Sequence, residues 1–206
     1  MTPFPERTPA GAAASLRTSL HLLRRPLYIV LGAFAVILVA GLAGLRGVVT
    51  ASMPRGLYLA HPFHPPALPG DTISVCLPDP VARWMHARQY LATGPFCESG
   101  VQRLTKAVLA REGDTVTLTR RGMIYRGRLL PNTAPLARDS RGRAMPQLAP
   151  GRYVVPPGHL WLFSTHSPRT VDSRYFGPIP ENRGRALWHP LWTETISLRP
   201  TLRTAR

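Results

Sequence analysis

One lysine stands among the 26 basic residues of this chain, which leaves 25 arginines. It is Lys106, in the stretch "RLTKAVLAREGDTV". Arginine stays protonated at any working pH, whereas a buried lysine can shed its proton and act as a base. Position 106 is therefore either a straggler in a lysine-poor composition or a place that needs a removable proton. The group such a base would activate is a hydroxyl. Ser52, in "VVTASMPRGLYLAHP", precedes Pro54 and Gly56, which force a turn, end a strand at Val48-Val49 and present the serine at a bend. A serine is a weak nucleophile until a neighbouring base takes its proton. There is no GxSxG elbow and no histidine in an evident triad context, so Lys106 is the available base of tunable pKa. On a strand, Leu104, Lys106 and Val108 share a face. If that face is interior, burial brings the ammonium toward a pKa of about 7–8, where a general base is most useful. If Lys106 instead lies at a strand edge, its amine stays in water.

Ser52 and Lys106 are 54 positions apart, so a tertiary scaffold must bring them together. Beyond residue 47 the chain reads as strands and turns. "DTISVCL" alternates, with Ile73, Val75 and Leu77 on one face, and "TVTLT" does the same with Val116 and Leu118. "HLWLF" is a compact apolar run of the kind buried on both faces. Gly113-Asp114 and Arg121-Gly122 are turn signals, and "PVARWMHARQYL", from Pro80 to Leu91, suits a short helix. The 23 prolines and 17 glycines favour irregular connections over long helices here. The fold class expected is mostly β, over residues 47–206.

Upstream lies "PLYIVLGAFAVILVAGLAGL", with no charged residue from Pro26 to Leu45. Nineteen residues from Leu27, at about 1.5 Å each, span roughly 28 Å, close to the hydrocarbon thickness of a bilayer. Residues 26–46 are thus expected to form a transmembrane anchor, and residues 1–25 a cytoplasmic tail. Arg7, Arg17, Arg24 and Arg25 precede the span against one acid, Glu6, and Arg46 alone follows it at once. That bias puts the N-terminus inside and the domain of residues 47–206 outside, in the periplasm of a cell whose inner membrane holds the anchor. A cleaved signal peptide is the competing reading, since "GLA" before Gly44 has small residues suited to processing. The apolar run is long for that role, so a retained anchor is preferred.

The compartment bears on Cys76 and Cys97, which an oxidising space permits to pair; two buried free thiols are the other possibility. The net charge of +16 is spread along the chain with no dense run and no nucleic-acid motif. It reads as a solvated arginine-rich surface, and no nucleic-acid partner is expected. The seven histidines lack metal-ligand spacing: His61 and His64 lie in the proline-rich "HPFHPP" with no evident third ligand. No metal or cofactor is expected.

Taken in order, "SMPRGLY", "LTKAVLAREGDTV" and "TVDSRYFGPI" resemble the conserved boxes of the type I signal peptidases, with the TraF-type conjugative-transfer peptidases nearest in pattern. The resemblance runs over nearly the whole chain and includes the anchor, the serine just beyond it and the cysteines of "SVCLP" and "GPFCESG". It implies a signal-peptidase-like β fold and a membrane-bound serine endopeptidase with a catalytic pair of Ser52 and Lys106. It further implies that Thr50, two positions before the serine, helps bind the oxyanion. Asp172 matches an aspartate that supports the site in TraF-type enzymes; a structural salt bridge with Arg174 is its equally weighted alternative. The implied partners are the membrane and an exported precursor, a pilin subunit in the specialised case. The pilin is then either cut or closed into a ring. A general signal peptidase, or a non-catalytic scaffold of the transfer machinery, are the alternatives. At "LTKAVLAREGD", Ala107 stands where the family commonly has arginine, and the Glu112-Gly113 pair replaces a Pro-Gly turn.

Overall fold

The computed structural model describes residues 10–49 and 53–194, with the stretch 10–23 as backbone alone. Two units emerge, the first ending at Gly44 and the second beginning at Leu45.

The first unit is helix α1 (Ala10–Leu42), 33 residues long and about 50 Å from end to end. It begins well inside the segment expected to be a tail, because the four alanines of Ala10–Leu16 and the leucines and arginines after them are strong helix formers. Pro26 lies within it. The helix closes on Gly44, whose φ of 91° is one that glycine adopts at little cost. Ala43 N–H still donates to the Val39 carbonyl at 2.8 Å. From Arg24 to Leu42 this is the one helix, among the described residues, long and apolar enough to cross a membrane. None of that stretch is buried in protein; Ile29 is 72% exposed and Leu42 79%. A core helix would cover those side chains, whereas hydrocarbon accommodates them.

The second unit is built from short antiparallel strands. In chain order they are β1 (Leu45–Val48), β2 (Gly56–Pro62), β3 (Thr72–Val75), β4 (Leu104–Arg111), β5 (Thr115–Thr119) and β6 (Gly122–Tyr125). Then follow β7 (Arg128–Leu129), β8 (Gly151–Val154), β9 (His159–Phe163), β10 (Ile179–Pro180) and β11 (Gly184–Thr193). Helix α2 (Asp79–Ala87) starts one residue before the stretch expected to be helical and ends four residues short of its end, and α3 (Ser173–Phe176) is one turn. Seven strands form one sheet in the order β1-β2-β11-β3-β4-β9-β10; four form a second, β7-β6-β5-β8. Leu45 and Arg46, expected at the end of the anchor, pair instead with Leu59 and Tyr58 of β2.

Two apolar cores share β4 and β9. Ile73, Val75, Leu77, Leu104, Val108, Leu160 and Leu162 pack with Ala82 and Met85 of α2 in the first. Leu109, Ala110, Trp161 and Phe163 pack with Val116, Leu118, Met123 and Tyr125 in the second. Strand β9 is buried on both faces, as its uninterrupted apolar run requires. Strand β4 changes allegiance at a register shift between Val108 and Ala110, where an irregularity against β9 lets consecutive residues serve the second core. The mostly β class and the single N-terminal apolar helix both match the sequence reading.

Gly56 opens β2 between Val48 of β1 and Thr193 of β11. Its φ is 153°, and a Cβ there would lie 2.8 Å from Thr193 Cα and still closer to the Trp192 carbonyl oxygen. That β11 backbone cannot yield as a flexible side chain could. Gly56→Ala is therefore expected to destabilise the domain by about 2 kcal/mol or more. Thermal unfolding in detergent, compared with Gly151→Ala as an exposed control whose Cβ would meet nothing closer than 4.0 Å, measures it.

Candidate active site

Lys106 sits in β4 opposite Ile73 of β3, with Leu104 and Val108 on the same face. All three side chains are buried, and Lys106 is only 2% exposed. Burial pulls its ammonium down from the usual lysine range to about 8, with the Asp172 carboxylate opposing and the Arg174 guanidinium assisting the shift. An amine so placed is substantially neutral at mildly alkaline pH and can accept a proton.

Asp172 and Arg174 come from α3 and its cap. Asp172 is fully buried and caps the helix, accepting from Arg174 N–H at 3.2 Å. Its carboxylate also takes Arg174 Nε at 2.8 Å, Arg174 Nη2 at 2.7 Å and Ser164 N–H at 3.2 Å. The remaining guanidinium N–H groups reach the carbonyls of Asn132 at 3.2 Å, Ala134 at 3.3 Å and Ser164 at 3.4 Å. Burial disfavours the Arg174 charge, but the bonds to Asp172 outweigh it and hold the guanidinium above its ordinary value. Next to the pair, Ser173 Oγ accepts from Leu162 N–H at 2.9 Å and Tyr175 Oη accepts from Leu136 N–H at 3.0 Å. The short helix thus pins β9 and the 132–136 loop together. Asp172 makes the salt bridge with Arg174 that was one of its two expected roles, and it acts on Lys106 through its field.

A cleft of about 710 Å³ opens over Lys106. Gln102 and Arg103, just before β4, and Leu104 to Lys106 on it line the cleft, with Val48, Val49 and Met53 at one part and Met85, Tyr90, Arg138, Asp139, Thr170 and Tyr175 elsewhere on its wall. The wall carrying Asp139 is tied back firmly: Asp139 accepts from Tyr90 Oη at 2.5 Å and from Arg143 Nε at 2.7 Å. Ser52 and Thr50 lie outside the described residues. The residues that flank positions 50–52, Val49 and Met53, both line the cleft that holds Lys106.

The edge of β4 matters equally. Strand β3 pairs with it from Leu104 to Ala107, while β9 takes up the other side only from Ala107 onward. Leu104, Thr105 and Lys106 therefore offer an edge without a neighbouring strand among the described residues. An extended peptide can add there as a further strand.

Cys76, at the end of β3, is bonded to Cys97 across a Cα–Cα distance of 5.5 Å. This resolves the alternative of two free thiols. The bond secures the segment that places Phe96 under Arg103, whose guanidinium lies 4.9 Å from the ring centre. Sequence reading did not single out Arg103, Tyr90, Asp139 or Thr170. Their shared wall joins loops far apart in the chain, and no local spacing signals it.

A family model described as "Signal peptidase, peptidase S26" matches residues 22–202. A plasmid transfer protein TraF from Escherichia coli is 33% identical over 171 residues, covering 81% of this chain and 94% of that protein. A conjugal transfer protein TraF from Agrobacterium fabrum is 37% identical over 155 residues, covering 74% of this chain and 84% of that one. Among solved structures, a signal peptidase I from Enterococcus faecalis is similar at 19% identity and a TM-score of 0.33, over 58% of this chain and 94% of that one.

Proposed function

The chain belongs to the signal peptidase family, peptidase S26, and on that premise we propose that it is a membrane-anchored serine endopeptidase using Ser52 and Lys106. The observation that carries this reading is the buried Lys106, its pKa lowered to about 8, in a cleft that Met53 and Val49 also line. Ser52 adjoins Met53, so the serine box and the base belong to one cleft in this reading.

In the first step Ser52 Oγ gives its proton to neutral Lys106 Nζ and forms a bond to the scissile carbonyl carbon. The oxyanion so created is met by the Thr50 hydroxyl and the Ser52 backbone N–H. Lys106 then passes its proton to the leaving amine as the peptide C–N bond breaks, leaving an ester on Ser52. A second nucleophile loses a proton to Lys106 and attacks that ester, and the proton returns to Ser52 Oγ as the C–O bond opens. Water as the second nucleophile gives hydrolysis. An amino terminus of the substrate gives a cyclic product with the same atoms in the same roles. Asp172 is the positioning residue: bonded to Arg174, it fixes α3 beside Lys106.

The substrate in this reading is an exported precursor bound extended along the open edge of β4 with small residues beside the cut. The names of the relatives speak of plasmid and conjugal transfer, and a pilin subunit of such a system is the precursor proposed here. In this reading the chain before Arg24 is cytoplasmic, Arg24–Leu42 is the inner-membrane anchor and the β domain from Leu45 onward is the periplasmic catalytic domain. The exposed apolar face of α1 supports the anchor.

Ser52→Ala tests the assignment. With purified full-length protein in detergent and a precursor pilin as substrate, product appearance by mass spectrometry is expected to fall at least about a thousandfold. Near-normal processing by a folded Ser52→Ala protein would remove the serine mechanism.

A further inference from the structure

Four buried side-chain polar atoms have no hydrogen-bond partner among the described residues, and three of them belong to residues lining the Lys106 cleft. They are Arg103 Nε, Thr170 Oγ1 and Trp188 Nε1. Thr170 is 4% exposed, so its hydroxyl has little recourse to solvent. Buried polar groups are ordinarily paired, and all three of these can donate. Their concentration in one cleft points to acceptors delivered by a ligand.

Charge narrows the ligand further. Besides Lys106, the cleft is lined by Arg103, Arg138 and Arg169, against the single acid Asp139. That acid is already engaged by Tyr90, by Arg143 and by the backbone N–H groups of Arg141 and Arg143 at 2.9 Å each. Arg103 stands among like charges: burial together with Arg185 and Arg46 holds its guanidinium below the ordinary arginine value. An anion beside it would relieve that repulsion and meet the buried Nε–H.

Position fixes where on the substrate the anion falls. Arg103 directly precedes β4 and lies three residues before Lys106, at most roughly 10 Å along extended chain rising about 3.3 Å per residue. A peptide added to the open edge of β4 runs past both. We propose that the cleft selects a substrate strand carrying an aspartate or glutamate about three residues from the bond that is cut, with Arg103 as the group that reads it. This rests on the peptidase reading above and adds a specificity rule to it.

The test uses full-length protein in detergent with internally quenched peptides that have small residues at the cut. Glu, Gln or Lys is placed in turn at each of four positions on either side. At one position near the third, Glu is expected to raise kcat/KM about tenfold over Gln, and Lys to lower it. In Arg103→Gln the Glu-to-Gln ratio there should fall to about one, and in Arg103→Glu the preference should turn to Lys. A variant that merely misfolds lowers every rate and leaves the ratio unchanged, so the ratio is the readout. Cleavage with no charge preference, or a preference that survives Arg103→Gln, overturns the inference alone. No cleavage of any peptide or of a precursor pilin by the wild-type protein overturns the peptidase reading and this inference with it.

Discussion

Replacing Lys106 by arginine is expected to stop the reaction as completely as replacing it by alanine. Arginine keeps the charge and most of the length, but it does not deprotonate in the working range and cannot take the Ser52 proton. The loss of a general base costs about two to four orders of magnitude in rate. A purely electrostatic or structural role predicts rescue by arginine, which serves at the 25 other basic positions. The wild-type rate should climb with pH and level off above about 8, where burial leaves the amine neutral. The same shift has a stability consequence of definite sign. The native state binds this proton less readily than the unfolded chain, so below about 8 the lysine destabilises the fold, and the cost recedes as pH rises toward 10.5. Lys106→Met should accordingly be inactive yet more stable at pH 7, by up to about 3 kcal/mol. Processing assays and denaturant unfolding across pH measure both. An active Lys106→Arg protein would sink the mechanism.

The second large effect concerns Asp172. Truncation to alanine leaves the Arg174 guanidinium buried without its partner, and the expected loss of stability is about 3–5 kcal/mol. Arg174→Ala should cost a similar amount by stranding the carboxylate. Replacing both with apolar residues of similar volume should recover much of the loss, since neither charge then needs compensation. The gentler Asp172→Asn separates fold from function. The carboxylate raises the Lys106 pKa, so its removal should move the midpoint of the pH–rate profile below about 8. A contribution through packing alone would lower the rate and leave that midpoint in place.

Much of the site is visible along the chain because its signals are local. The lone lysine, the alternation of Leu104, Lys106 and Val108, the apolar run that became the exposed stretch of α1 and the strand periodicities at Ile73-Val75 and Val116-Leu118 involve residues within one or two turns or pleats of each other. Backbone periodicity of 2 or 3.6 decides those faces before any tertiary contact forms. The helical start at Ala10 departs from the expected tail because apolar length marks what a membrane can hold, whereas helix propensity continues through residues a membrane would reject.

Tertiary structure decided whatever depends on distant neighbours. That the face of Lys106 is interior follows from α2 packing over the Leu104 and Val108 side chains beside it, and it is burial that lowers the amine. Asp172 could serve either a salt bridge or the site on sequence grounds; folding places it in the bridge while leaving its field on Lys106. The register shift after Val108 lets one strand feed two cores, and its pairing leaves Leu104 to Lys106 open at one edge. Arg103 looked like one arginine among many until the fold set it beside Arg46 and Arg185. Burial, field and edge exposure are sums over neighbours brought together from across the chain, and spacing along the chain does not encode those sums.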